Sequence, residues 1–521
     1  MEQSTLIYLM LLAPLAGIPL IALLQKQMSK TVAFLISLVP FVVSLMLWAG
    51  FAGAEKTNGF AYYSAVSWFT SDSYDISFAM GIDGISLFMI LMTTLLFPLI
   101  LLYSWNRIEK QAPLYYIMLL VMETAIIGFF LALDMLLFYV FFELVLIPAI
   151  FFIGIWGDEK RREAAIKFFL YTLAGSLLML IAIIYMGATA VAEGFTTNYF
   201  ALQDAGFAPE LQRWLFLGFA ISFAIKAPIF PFHSWQADAY SASSTTGTVI
   251  MAAILSKMGV YGLLRFCLPL FPDAFEVFSP WIATLAVIGI IYGAMAAFAQ
   301  NDLKRLLAYS SLSHIGFIVL GIFALGSVEA NSGAVLQMVA HGISTAALFF
   351  LVGMIESRRG SRLISDYQGI AKQLPIFAFL FVISVMASVG LPGLSGFVGE
   401  FMIMLGAFGS ALVGAKVLTV FAATGVIIAG VYLLTMTRKV LFGQNDKSVN
   451  QQLPDLGMRE IGLLAPLVIL MLWIGLNATP FLKPIDESVD TMIGIEQVDL
   501  ENEKQPEEEA EADLEKETAL R

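Results

Sequence analysis

Stretches of about twenty consecutive apolar residues alternate with short polar segments along the whole chain, and a helix of that length crosses the roughly 30 Å hydrocarbon core of a bilayer. They fall at 5–24, 31–52, 84–104, 113–131, 135–156, 164–192, 212–230, 245–271, 279–299, 306–326, 331–355, 375–410, 416–437 and 461–480. The pattern predicts an all-α polytopic membrane protein of about fourteen transmembrane helices, the twelfth of them long and interrupted. An even number puts both ends on one side. Met1 to Leu24 has neither a basic n-region nor a small-residue cleavage site, so the first span is expected to be retained.

Two of the apolar segments are broken by proline. The seventh reads AIKAPIFPFHSW, with Pro228 and Pro231 removing backbone donors, and the twelfth reads SVGLPGLSGFVGEF, with Pro392 among glycines. Spans 4–8 and 9–13 form comparable units whose starts, 113 and 279, lie 166 residues apart, while Pro228 and Pro392 lie 164 apart. Five spans per unit is an odd number, so the second unit is inverted relative to the first. Paired broken helices in inverted repeats point to an ion pathway near the midplane; two kinks in an inert bundle are the plainer reading. The chain then divides into an N-terminal three-helix segment (1–112), a first five-helix repeat (113–271), a second inverted repeat (279–440), a loop and last span (441–480) and a tail (481–521).

Composition agrees with a lipid-facing surface. Charged residues make up 13% of the 521 and apolar ones 59%, with a mean hydropathy of +0.84, whereas a soluble domain is about 25% charged. The formal charge of −12 is uneven, because residues 481–521 hold 14 acids against 4 bases. That tail is expected to be a solvated, largely disordered or loosely helical segment, with docking to a basic neighbour as its alternative. Nothing supports nucleic-acid binding. Seventeen Lys and Arg fall on one set of loops and four, Lys56, Arg213, Arg265 and Lys416, on the other. The basic loops are therefore assigned to the cytoplasm and both termini to the opposite side. With Cys267 as the single cysteine, iron–sulfur and thiolate–zinc sites are excluded, and no nucleotide-binding glycine loop is present.

Ionisable residues inside spans cost at least about 2.5–3.5 kcal/mol each and are functional candidates. Glu143 lies in the fifth span, Lys226 just before the first break, Lys257 in the eighth span and Glu400 just after the second break. Glu143 and Lys226 are two spans apart and are expected to pair across the bundle, with proton affinity at the lysine set by the carboxylate; static ion pairs fixing helix register are the alternative. All three histidines, His233, His314 and His341, lie in or beside apolar spans. Imidazole relays protons near neutral pH, and the hydroxyl-rich run AYSSLSHIG favours that role for His314. A hydrogen-bonded structural role is preferred for His233, and their spacing makes no metal site. Glu123 either joins this polar axis or caps a neighbouring helix. Lys167, Arg265 and Asp134 lie near span ends, where snorkelling or end pairing suffices, and Asp302, Lys304 and Arg305 form a short loop that serves orientation.

Six strings carry a resemblance: GIDGIS (81–86), FFELVLIP (141–148), KAPIFPFHSW (226–235), LSKMGVYGLLRF (255–266), NDLKRLLAYSSLSHIG (301–316) and PGLSGFVGEF (392–401). Through them, from about residue 80 to 440, the chain resembles the antiporter-like membrane subunits of respiratory complex I, which share ancestry with Mrp-type cation/proton antiporters. Glu400 and Thr345, where the L and N types usually have Lys, point to the M-type branch, as does the lack of the L type's long C-terminal helix. The resemblance implies fourteen helices with two inverted repeats, Glu143 and Lys226 as a coupling pair, Lys257 and His314 as a central relay, and Glu400 as the outer proton site. It also implies a chain free of cofactors, with flavin, iron–sulfur clusters, NADH and quinone in partner subunits. Those partners would include L- and N-type chains and small membrane subunits, in a bacterial inner membrane. An Mrp-type antiporter subunit, or a membrane subunit of a related hydrogenase, is the alternative. The chain departs from the family after Trp235, reading QADAY and SASST through 245; Asp238 keeps the acid of that segment.

Overall fold

The computed structural model describes residues 3–494 except 24, 25, 72, 73, 193 and 446; expectations for the rest of the tail lie outside the described residues. Among them, twelve helices are long and apolar enough to cross a membrane, and Pro375–Val389 and Ser395–Gly409 are shorter apolar helices. The chain is an integral, multi-pass helical membrane protein. Its burial is the reverse of a soluble fold. Val328–Arg359 carries Asn331, Ser332, Gln337, His341, Ser344 and Thr345 and is buried through them all, while Leu170, Ile181, Trp214, Trp281 and Val413 stand exposed on the outside. Lipid accepts the apolar side chains, so the polar ones gather at the bundle's centre.

Both predicted breaks are present. Pro209–Lys226 stops at Lys226, and turns lead through 227–235 to the short helix Gln236–Ala242. Pro228 has no N–H to continue the helix; the Ala224 carbonyl it would have met accepts from Ile229 N at 2.8 Å, and the next carbonyl, of Ile225, accepts from the Trp235 indole at 3.0 Å. In the second break Gly390 (φ 82°) and Gly393 (φ 91°) turn the chain between Pro375–Val389 and Ser395–Gly409. Other irregularities were not expected. The fifth span is interrupted at Val145, between Met135–Leu144 and Leu146–Gly154, and the eighth contains two π-helical turns, Met251–Leu255 and Leu263–Cys267, flanking Ser256–Gly262.

Three corrections to the sequence reading concern the ends and edges. Residues between the second and third spans form an antiparallel hairpin, Phe60–Ser71 with Tyr74–Ile82, joined in parallel by Phe195–Thr196. The first fourteen residues of the segment expected to be loose, 481–494, belong to a helix over 479–494 that buries Phe481, Ile485, Val489 and Met492. Their spacing of three to four residues makes one apolar face, which the acidic average of the tail conceals. Lys304, expected only to orient a loop, is buried against Glu356 at 3.1 Å, whereas Arg265, for which snorkelling or helix-end pairing was expected, does pair at a helix end, buried against the N-cap Asp83. Asp134 does serve a helix end, accepting from Leu136 and Leu137 as the N-cap of Met135–Leu144. On the basic face Arg362 joins Asp158, Asp302 and Glu356.

The 479–494 helix crosses the start of Gly84–Ser104 so closely that a Cβ at residue 84 would lie 1.8 Å from the Pro484 carbonyl. Gly84→Ala is therefore expected to lower the unfolding temperature of the purified protein, although alanine is the better helix former. Gly53→Ala, with nothing within 4 Å of the added carbon, is expected to leave it unchanged. Equal unfolding temperatures for the two would remove the packing argument.

Candidate functional site

The centre of the bundle holds one line of polar side chains. Lys257 is fully buried on the α-helical turn between the two π segments. Its ammonium donates to the Ala252 carbonyl at 2.7 Å, to Ser256 Oγ at 3.3 Å and to Nδ1 of His341 at 2.7 Å. The Ala252 carbonyl lies in the π turn just before Lys257 and accepts from Ser256 Oγ at 2.9 Å as well. With Nδ1 accepting, His341 carries its proton on Nε2. The His341 and His314 rings lie 5.4 Å apart between centroids. His314 Nδ1 donates to Glu400 Oε1 at 2.7 Å, and Gln337 Nε2 donates to the same oxygen at 3.0 Å.

Each member is placed by its helix. His341 and Gln337 lie one turn apart on Val328–Arg359, and His314 lies on Leu303–Ile322. Glu400 is brought in by the second break, and its Oε2 faces Gly390, where a Cβ would lie 3.3 Å away. Gly399 lets Ser395–Gly409 approach until its missing Cβ would meet Gln337 Cα at 2.9 Å. Nε2 of both histidines, Ser311 Oγ and Gln337 Oε1 have no protein hydrogen-bond partner among the described residues. Atoms of this kind are where buried polar networks take up water.

Lys226 ends its helix at the first break, where the negative end of the helix dipole favours a cation. Its Nζ sits 4.5 Å from the centre of the Phe142 ring and 3.5 Å from the Phe142 carbonyl. The expected direct pairing with Glu143 is not made: no N···O contact of 4.0 Å or less joins them. The interruption at Val145 ends the helix just after Glu143, which is half-buried. The two sets of residues meet through backbone. Gly259, two residues beyond Lys257, packs on the end of the Lys226 helix, a Cβ there lying 2.5 Å from Ala227 N.

The remaining candidates lie apart. Glu123 is fully buried within Ala112–Leu131, and neither carboxyl oxygen has a partner, so it neither caps a helix nor touches the line by a hydrogen bond. His233 is half-buried and rests on the rings of Phe230 and Tyr292. Asp238 lies in a charged cavity of about 770 Å³ on the basic face, bridged to Lys167 at 2.9 Å and Arg305 at 3.1 Å. Partial burial acts to raise the Asp238 carboxyl, but hydrogen bonds and charge from Lys167 and Arg305 outweigh it and hold it below the ordinary carboxylate value. The bridge is thus complete at neutral pH and is lost only on acidification. Gln337 was not singled out by sequence reasoning; an uncharged amide one turn before His341 is its only signal. No three His, Cys, Asp or Glu side chains converge as metal ligands would among the described residues.

A polytopic bundle with broken helices and a central Lys–His–His–Glu line defines an ion-translocating class of membrane protein. The chain belongs to the NADH:quinone oxidoreductase/Mrp antiporter transmembrane family, whose profile matches residues 132–429. It is 38% identical over 511 residues to NADH-quinone oxidoreductase subunit M of Rhodobacter capsulatus, covering 94% of this chain and 97% of that one. It is 39% identical over 478 residues to NADH-ubiquinone oxidoreductase chain 4 of Chondrus crispus, covering 91% and 94%. Among solved structures it is similar to a chain of respiratory complex I from Thermus thermophilus with bound NADH, at TM-score 0.84 and 32% identity, covering 94% and 99%. The Mrp complex from Dietzia shares the fold at TM-score 0.79 and 22% identity, over 95% of this chain and 52% of that one.

Ion translocation by the assembled protein is expected to fall about tenfold or more in His314→Ala and Glu400→Gln, as when a proton-transfer group is removed. His233→Ala, away from the line, is expected to stay near wild type. Equal rates in all three variants would take the line out of the pathway.

Proposed function

We propose that this chain is a proton-translocating membrane subunit of an NADH:quinone oxidoreductase, the counterpart of subunit M. The observation that carries the proposal is the continuous buried line from Lys257 through His341 and His314 to Glu400, in a chain that belongs to this family along most of its length. Each member accepts and releases protons, and each neighbour lies within one hydrogen bond or one imidazole-to-imidazole step. Electron transfer belongs to partner subunits. There flavin, iron–sulfur clusters, NADH and quinone reside, and L- and N-type chains and small membrane subunits adjoin this one.

Glu143 and Lys226 are the coupling pair in this reading. A carboxylate and an ammonium at 4 Å attract by about 4 kcal/mol at an effective dielectric of about 20. Closing or widening the gap between them therefore decides whether Lys226 holds its proton. The missing direct contact fits a pair that opens and closes, and the helix ends at Leu144 and Lys226 supply the freedom. Protons pass from Lys226 to Lys257 and along the histidines toward Glu400.

The same reading sets the topology. Pro209–Lys226 and the broken pair Pro375–Val389 and Ser395–Gly409 add two spans to the twelve long helices, giving fourteen. Spans 4–8 and 9–13 form inverted repeats with corresponding breaks, in a bacterial inner membrane with the basic loops in the cytoplasm and both termini outside. The enzyme is a translocase of the NADH:quinone oxidoreductase kind, and this chain contributes no redox centre.

Glu143→Gln and Lys226→Ala are expected to abolish or strongly reduce NADH-driven proton pumping in membrane vesicles while the complex still assembles. Normal pumping in both variants, at normal complex levels, would sink the mechanism. Cation-dependent proton exchange in vesicles without any electron donor would instead assign the chain to the antiporter side of its family.

A further inference from the structure

The helix that carries Lys257 also carries Tyr261 and Arg265, and the three lead toward the face opposite the basic loops. Lys257 and Arg265 are eight residues apart, about 12 Å at 1.5 Å per residue. Arg265 is buried; its Nε donates to Tyr261 Oη at 3.2 Å, and its guanidinium donates to Asp83 Oδ2. Beyond it lies a cavity of about 500 Å³, walled by Asn58 in the turn before the hairpin, Gln203 and Asp204 of the short helix Tyr199–Asp204, and Ser488 and Thr491 of the 479–494 helix. This course runs from the central lysine toward the face opposite the basic loops, and it bypasses both histidines and Glu400.

We infer that the Arg265–Asp83 pair is an electrostatic barrier that closes this course, so that protons at Lys257 leave only along the histidine line. The inference rests on the proton-translocating reading above. A guanidinium stays protonated at any working pH, so it neither accepts nor hands on a proton, and its fixed positive charge repels an approaching one as a charged constriction does in a pore. Asp83 allows that charge to remain buried. It is itself immobilised, since its Oδ1 accepts from the backbone and hydroxyl of Ser86 in the capping box of Gly84–Ser104.

The surroundings fasten the pair from every side. The Phe60 ring lies 5.1 Å from the guanidinium carbon, and the Tyr199 hydroxyl donates to the Arg265 carbonyl at 3.4 Å. The 479–494 helix holds the next residue, its Ser488 Oγ accepting from Gly84 N at 2.8 Å. The hairpin and the terminal helix, neither of which touches the proton line by a hydrogen bond, thereby acquire a role in keeping the membrane tight.

The test is passive proton conductance of the complete complex in liposomes, with no electron donor, under a potassium diffusion potential set by valinomycin and read by an internal pH dye. The double variant Asp83→Asn with Arg265→Gln removes both charges, leaves no lone buried charge and is expected to raise proton influx several-fold over wild type. Arg265→Lys, which keeps a cation, is expected to stay close to wild type. Should the double variant not assemble, Arg265→His puts a proton-exchanging group at the barrier and is expected to leak in a pH-dependent way. Wild-type conductance in whichever neutralised or histidine variant assembles overturns the inference, as does a lysine variant that leaks as much as the double one. Because nothing is oxidised in the assay, a tight barrier in a complex that does not pump and a leaking one in a complex that does are separate results.

Discussion

Ionisable groups in hydrocarbon are expensive, and this chain keeps its central ones by making them partners of one another. The hydrogen bond between His314 and Glu400 at 2.7 Å and that between Lys257 and His341 at 2.7 Å are the contacts around which the bundle is arranged. They require a buried glutamate, which the second break supplies, and acceptors for a buried lysine, which the Ala252 carbonyl of the π turn Met251–Leu255 and the His341 ring supply. They also require two histidine-bearing helices buried over most of their length, as the polar-bearing Leu303–Ile322 and Val328–Arg359 are.

The barrier side of the molecule follows the same rule with the opposite outcome. Along the histidine line the partners are weak acids and bases, side chains that can exchange protons. At Arg265 and Asp83 one partner keeps its proton and the other is locked in a capping box, so the pair is inert. On the basic face, Lys304 with Glu356 and Arg362 with three acids tie the loops together. In the proposed mechanism charge near this membrane serves in three ways, as a conductor, as a plug and as a tether, and the difference lies in which side chains can release a proton.

Much of this was legible in the sequence. A charge in an apolar run is a strong signal because its cost is high, and Glu143, Lys226, Lys257 and Glu400 were found on that ground; proline in two long apolar segments marked both breaks. Contact across the bundle was not legible. His341 was marked only as one of three histidines in or beside apolar spans, yet it lies between Lys257 and His314 in space. Gln337 bears no charge and raised no flag. Glu143 and Lys226 were paired on the strength of their signs, and they face each other without an N···O contact of 4.0 Å or less. The terminal helix was hidden by averaging a short amphipathic stretch with a long acidic one, and Arg265 by its place near a span end, which does not reveal that a hairpin and a helix fold over it.

The central claim is that Lys257 and Glu400 belong to one proton path in series. The most direct measurement is a double-mutant cycle on NADH-driven pumping with Lys257→Met, Glu400→Gln and the two combined. Groups in series are not additive, because once one step is lost the other no longer limits. The account predicts that the combined variant pumps no worse than the weaker single one; losses that multiply would mean two independent paths and would contradict it.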